Sequence, residues 1–365
     1  YSSIYKNLFK ELNRQELDIQ VYVPQHTNPK INEIKQSDYP YHIYSRKIIK
    51  PWDKYIFFSK IIRMKKDVEI NFDLTKIKII HAHSLFSDGG VAYEIFKKYK
   101  IPYIVAIRDT DVNQYFKKAK HLKPYALKIL ENASKIIFLS KTYRDNVLNT
   151  FVPTKIRAFI REKSEVIPNG ISEFWIENIY NDRPEFNPEK EEINLIFVGQ
   201  IIKRKNIESI IKARNSLRKM LKTKINILVV GKIKDKAYYK YLTNLGEFTH
   251  IEHCSPNELI DFYRNADVFV MTSLTETFGL VYAEALSQAL PVIYTSGQGF
   301  DCQFKEGVVG YRVQPKDIQD ISKKIHKIIK NYDNISLNCR VNASKFDWRK
   351  ISSHYVEIYK KIVNI

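Results

Sequence analysis

The sequence is short of the features that would stand in for a large core or place a chain in an oxidising or membrane setting. Three cysteines, Cys254, Cys302 and Cys339, lie far apart in 365 residues, without the close spacing that a zinc ribbon or a disulfide framework requires. They read as free thiols. No stretch approaches about twenty uninterrupted apolar residues, so no transmembrane helix is expected. The first twelve residues lack a signal-peptide core, so a cytoplasmic chain is expected. Short-period repeats and low-complexity tracts are absent as well. Hydrophobic residues make up 44% and charged residues 27%, which excludes disordered and collagen-like classes.

What is abundant is positive charge. A formal net charge of +20 creates a field that attracts polyanions such as nucleic acid, anionic headgroups or nucleotide diphosphates. Lysine is spread along every element, as plain compositional bias would leave it. Residues 43–66 nevertheless concentrate Arg46, Lys47, Lys50, Arg63, Lys65 and Lys66 among Trp52, Tyr55, Phe57 and Phe58. Two readings stay open for that segment. One is contact with an anionic membrane surface, peripheral on the inner face of the plasma membrane; the other is a solvated face over a core helix.

Length favours two α/β domains over one core. Residues 1–15 repeat Ile4, Leu8 and Leu12 on one helical face, and residues 18–23 follow as a strand that Pro24 is expected to end. A helix feeding a second strand is an unusual opening, and residue 1 is not methionine, so a strand ahead of this helix is inferred. Isoleucine-rich 77–80 predicts a buried parallel strand that runs into the polar loop 81–90. A helix over 91–99, a strand over 103–107, and strands at 136–139 and 166–170 complete the first half. A polar, proline-containing stretch, 172–192, marks the boundary. Beyond it, strands at 193–198, 225–230, 268–271 and 291–294 alternate with helices at 207–221, 256–265 and 279–288, and helices begin at Asp317 and Trp348.

In open parallel sheets ligands bind beyond the carboxyl ends of the strands, which singles out three loops. The first is Ser273-Leu274-Thr275-Glu276-Thr277-Phe278-Gly279-Leu280, entering a helix that carries Glu284. Gly279 permits close backbone approach and a helix start favours a diphosphate. Glu276 and Glu284 can accept hydrogen bonds from sugar and ribose hydroxyls. As an isolated pattern, two glutamates eight apart are usually solvated surface. The second loop, Gly199-Gln200-Ile201-Ile202-Lys203-Arg204-Lys205-Asn206, clusters cations at a strand end; it reads equally as a diphosphate site or a solvated basic loop. The third pairs His81-Ala82-His83 and Asp88-Gly89-Gly90 with Arg108-Asp109-Thr110-Asp111. Two histidines leave a metal short of ligands, and Asp109-Thr110-Asp111 suits a turn or a cap, so no metal site is read here.

The segment 263–293, with Ala266-Asp267-Val268-Phe269-Val270, Glu276-Thr277-Phe278-Gly279-Leu280, Glu284-Ala285 and Pro291-Val292-Ile293, closely resembles the nucleotide-sugar signature of family 4 glycosyltransferases. The likeness continues through 81–113, 133–140, Ile167-Pro168-Asn169-Gly170-Ile171, 198–206 and Phe346-Asp347-Trp348.

The resemblance implies the α/β GT-B fold, two Rossmann-like doubly wound domains facing a cleft. Residues 1–172 would be the acceptor side, residues 173–345 the donor side, and residues 346–365 a helix returning to the first domain. It also implies retention of anomeric configuration, a nucleoside-diphosphate sugar donor (UDP-linked first, GDP-linked next), and neither metal nor cofactor. Donor contacts would come from Gly199, Gln200, Arg204, Lys205, Glu276, Thr277, Phe278, Gly279, Leu280 and Glu284. Lys205, Glu276, Arg108 and Asp111 would serve catalysis. Two departures are visible. Gln200 stands where relatives carry arginine, with Arg204 or Lys203 as substitutes, and Arg108 stands where many carry histidine. The expected enzyme extends a surface polysaccharide or lipid-linked glycan, without nucleic acid as partner. Two other readings remain: a GT-B epimerase acting on a free sugar nucleotide, and a non-catalytic basic protein that binds polyanions.

Overall fold

The computed structural model of the chain describes residues 3–27 and 34–364. The chain divides into two units. The first takes in Tyr1–Leu139, Arg144–Pro168 and Trp348–Ile365, and the second Ser140–Tyr143 and Asn169–Asp347.

The first unit opens with the helix Ser3–Arg14; residues 1 and 2 of the expected helix lie outside the described residues. Strands β1 (Gln20–His26) and β2 (His42–Ile49) then pair in parallel. Pro24 does not end β1. It sits within the strand opposite Arg46, where its missing N–H is tolerated because β1 pairs along one edge only among the described residues. A second parallel sheet runs β3 (Ile80–Ala82), β4 (Tyr103–Ala106), β5 (Lys135–Phe138) and β6 (Ser164–Val166) in that order. β4 is buried along its whole length, as its unbroken apolar run demands.

Both sheets share one core. Leu8, Phe9 and Leu12 of the first helix meet Val21, Ile43, Ile104 and Ile137 of the strands. The helix Trp348–Val363 adds Ile351, Tyr355 and Val356 to the same cluster and packs against the first helix. Burying an aliphatic side chain such as Ile351 contributes about 1.5–3 kcal/mol. Gln15 Nε2 also donates to Ser352 Oγ at 2.6 Å. The chain's last helix therefore belongs to its first unit.

Residues 43–66 are not one element. They hold most of β2, a 3-10 turn (Pro51–Lys54) and much of the helix Phe57–Asn71. Arg63 pairs with buried Asp53 and Arg46 with buried Asp67, while Lys60 is itself buried and donates to Ser87 Oγ at 2.7 Å. Trp52, Tyr55, Ile56, Phe58 and Ile62 instead are each at least half exposed. The segment thus turns part of its charge and the Phe57 ring inward, and Trp52, Tyr55 and Phe58 outward.

The second unit is a six-stranded parallel sheet in the order β12-β11-β10-β7-β8-β9. Its strands are β7 (Glu192–Val198), β8 (Lys224–Val230), β9 (Thr249–Ile251), β10 (Val268–Met271), β11 (Val292–Thr295) and β12 (Gly310–Val313). Sequence order departs in both directions from the β7–β10 pair: β8 lies beyond β7, and β11 beyond β10. A crevice opens where winding reverses in this way, at the carboxyl ends. Helix starts are set locally. Ser255 and Glu258 form a reciprocal capping box, and Asp317 accepts from the Asp320 amide. The stretch expected to be a boundary carries the short helix Glu173–Glu177. It is then strapped down by Arg183, which donates to the carbonyls of Gln288 and Ala266.

Candidate active site

The loops after β7 and β10 are neighbours because those strands are neighbours, and they are stitched together. Arg204 Nη1 donates to the Thr275 carbonyl at 2.7 Å, and the Leu274 amide donates to the Arg204 carbonyl at 2.9 Å. Asn206, 1% exposed, holds a left-handed conformation (φ 55°) and donates through Nδ2 to the Thr272 carbonyl at 2.9 Å. This places Lys205 Nζ 2.5 Å from Glu276 Oε2, with the two side chains only 11% and 14% exposed. Neither charge would be tolerated alone at that depth, since an unpaired buried ion costs several kcal/mol. Lys205 also passes over Gly199, where an added Cβ would stand 3.7 Å from its Cε.

A third loop, after β11, braces Glu276. Its amide donates to Gln298 Oε1 and its carbonyl accepts from the Gly299 amide, both at 2.8 Å. A Cβ on Gly299 would lie 1.8 Å from the Thr277 carbonyl oxygen, so the approach is possible only for glycine. Gly279 caps the helix Leu280–Ser287 at φ 77°, and a Cβ there would meet the Tyr282 ring at 2.8 Å. Among the described residues no acceptor takes the amides of Thr277, Phe278 and Gly279. Those of Leu280 and Val281 belong to the open first turn. Phe278 turns its ring inward against Phe346, at a centroid distance of 5.8 Å. The result is a row of preset N–H donors beside an ammonium group, the arrangement that binds an anion.

Glu284 stands one turn into that helix, about 6 Å along its axis from the start. It makes no hydrogen bond to Lys205 or Glu276; its neighbour is Tyr263 of the helix Pro256–Asn265. Burial lifts its carboxyl to about 7, against a smaller lowering by the Tyr263 hydroxyl. Gln200 and Lys203 are exposed, and neither side chain is hydrogen-bonded among the described residues. Of the two named substitutes for arginine at 200, Arg204 is engaged with Thr275 while Lys203 is uncommitted.

The remaining pair, Arg108 and Asp111, lies in the first unit. Asp111 is 1% exposed and accepts three backbone amides: Leu85 at 3.0 Å, Phe86 at 3.1 Å and Arg108 at 2.8 Å. It ties the loop after β3 to the loop after β4. Burial raises its carboxyl to about 6 despite those bonds. Arg108 Nε donates to the His83 carbonyl at 3.3 Å. The rings of His81 and His83 lie 4.0 Å apart; His81 Nδ1 contacts the Tyr359 hydroxyl at 2.7 Å, and His83 packs edge-on against Phe9. Burial holds His81 down to about 3 and His83 well below its ordinary value. Both therefore sit as neutral packed rings.

Sequence reasoning missed Asn206, Gln298, Gly299 and Tyr263. The signal for Asn206 was present, since asparagine directly before a helix is a cap-type residue that tolerates the left-handed region. Gln298 and Tyr263 carried none, as their roles come from loops distant in sequence.

Two family models together span nearly the whole chain: one described as Glycosyltransferase Family 4 matches residues 3–173, and one described as Glycosyl transferases group 1 matches residues 178–346. The alpha-monoglucosyldiacylglycerol synthase of Acholeplasma laidlawii is 27% identical over 297 residues, 74% of this chain and 70% of its own length. Among solved structures, the sucrose-phosphate synthase of Thermosynechococcus elongatus aligns with a TM-score of 0.72 at 17% identity, covering 98% of this chain and 92% of that one. HepE of Anabaena, solved in complex with UDP and glucose, aligns with a TM-score of 0.65 at 14% identity, covering 98% and 95%. At these identities the two structures establish likeness of fold.

Proposed function

The chain belongs to glycosyltransferase family 4, with the GT-B fold, and transfers a sugar from a nucleotide-sugar donor; from that premise we propose that the donor is UDP-linked and is held by the Lys205–Glu276 pair together with the open start of the helix Leu280–Ser287. The carrying observation is that pair, 2.5 Å apart and next in sequence to amides that no acceptor takes among the described residues. An ammonium group has three donors, so Lys205 can keep Glu276 in place while turning other protons to the diphosphate. Thr277, Phe278, Gly279 and Leu280 offer backbone N–H groups to the same oxygens. Gly199 leaves room beside Lys205, and Gln200, Lys203 and Arg204 line the approach. Glu276 accepts from hydroxyls of the donor sugar and Glu284 from the ribose.

The chemistry asks little covalent work of the protein. Negative charge grows on the leaving diphosphate as the sugar becomes oxocarbenium-like, and each preset donor lowers the barrier by about 3 kcal/mol. The acceptor hydroxyl attacks from the leaving-group face with retention, giving its proton to the departing oxygen. Arg108 is assigned to the acceptor side, and Asp111 sets its position through the Arg108 amide.

A glycan or lipid-linked acceptor of a surface polysaccharide pathway is supported by two observations. The Acholeplasma relative is named for a glucosylated diacylglycerol, and the first unit displays Trp52, Tyr55, Ile56, Phe58 and Ile62 beside Lys50. Rings and lysines together suit an anionic membrane surface. Among the described residues no helix is long and apolar enough to cross a membrane.

A thermal-shift screen against UDP-, GDP- and ADP-glucose tests the donor site: UDP-glucose is expected to raise Tm, and Lys205→Ala and Glu284→Ala are expected to abolish the rise. A shift that survives Lys205→Ala refutes the site. Conversion of the donor without any acceptor would indicate an epimerase instead. Sedimentation with anionic liposomes tests the surface, and absence of binding even at low salt removes it.

A further inference from the structure

The amino-terminal ends of β7, β8 and β9 enclose a second feature. A cavity of about 710 Å³ lies there, walled by Leu195, Ile225, Ile227, Phe248 and Phe262. The seven-residue β7 spans about 23 Å at the usual rise per residue, and its other end carries Gly199. The cavity is thus separated by a strand's length from the Lys205 loop.

The charges around this cavity are unbalanced. Arg214 and Arg218 sit four residues apart on the helix Ile207–Leu221, so they share one face and repel. Arg214 Nη1 donates to the Glu247 carbonyl at 2.8 Å, while its Nε is buried without a partner among the described residues. The Glu247 carboxylate comes no nearer than 3.9 Å and its side chain is 99% exposed. Arg218, exposed at the rim, has no side-chain partner among the described residues. Lys224 and Asn226 are already committed to Glu192, at 2.6 Å and 2.7 Å. A buried guanidinium N–H with no acceptor is a standing cost, and an anion entering the cavity would relieve the Arg–Arg repulsion.

We propose that this cavity is a second ligand site, independent of the donor site, that takes a small organic phosphate: its anion on Arg214 and Arg218, and its apolar body against Phe248 and Phe262. Two arginines present planar, multi-donor forks suited to phosphate oxygens. The aromatic walls select for a body that inorganic phosphate lacks.

Phenyl phosphate and inorganic phosphate are the probes, titrated calorimetrically into the whole chain. Saturable one-site binding of phenyl phosphate is expected, tighter than that of phosphate. Arg218→Gln, whose exposed side chain leaves Tm unchanged, should weaken it about tenfold. Phe262→Leu should weaken phenyl phosphate while sparing phosphate, and Lys205→Ala should leave both unchanged. Absence of saturation at millimolar probe, or affinity indifferent to Arg218→Gln, overturns the proposal. Loss of binding in Lys205→Ala also overturns it, because the anion would then lie at the donor loop.

Discussion

The two units set a carboxylate among backbone amides at the ends of parallel strands, and they use it in opposite senses. In the first, Asp111 enters the gap itself and takes the amides of Leu85, Phe86 and Arg108. In the second, the comparable amides at 277–279 have no acceptor among the described residues, and Glu276 is drawn aside by Lys205. One end is closed by an internal anion, and the other is left open for an external one. Oriented N–H groups attract an anion wherever they occur; what separates structure from binding is whether the chain supplies that anion.

The largest effect should come from removing the cation on the open side. Lys205→Ala is expected to lower kcat/KM by about 10²–10³-fold, the loss typical of one preset charge donor. It should also lower Tm, because Glu276 is left buried and unpaired. The double variant Lys205→Ala/Glu276→Gln should recover Tm without recovering activity. Recovery of both would make the pair merely structural.

On the closed side, Asp111→Ala leaves three amides without an acceptor, at about 3 kcal/mol of stability in total. Tm should fall while UDP affinity, measured by calorimetry below the transition, stays within about twofold. A collapse of UDP affinity with Tm intact would reverse the contrast between the units.

A smaller effect separates the acids by pH. Burial lifts Glu284 to about 7, and ribose hydroxyls bind its ionised form. Donor affinity should rise about tenfold from pH 6 to pH 8, following the ionised fraction, and Glu284→Gln should flatten that rise. Stability of the unliganded protein should move the other way. The unfolded chain loses this proton first, so stability falls as pH rises from the ordinary glutamate value toward 7, and Glu284→Gln should remove that part of the slope. The smallest change is Gly279→Ala, where a left-handed φ and the Tyr282 contact together cost about 1–2 kcal/mol. UDP should then bind several-fold more weakly.

Much of this architecture was legible in the chain itself. Buried parallel strands need continuous apolar runs, so 103–107, 193–198 and 268–271 could be read directly, and the loops after them followed. β2 could not be read in that way. Its core-facing Ile43 is followed by Arg46 and Lys47, adjacent and both exposed, on a half-exposed strand, so the period-two pattern breaks and the segment looked like one basic-aromatic face. Pro24 misled for a related reason, since an unpaired edge removes the penalty that normally ends a strand.

By itself the sequence determined which residue types stand at the strand ends: the cationic loop, Gly279 before a helix, and the two glutamates. Those follow from local chemistry. Only the tertiary structure decided that Lys205 meets Glu276 across 71 positions, that Glu284 lies beside Tyr263, and that the last helix joins the first unit's core. Strand order brings distant loops together and burial sets their charge state, and neither is a property of any single segment.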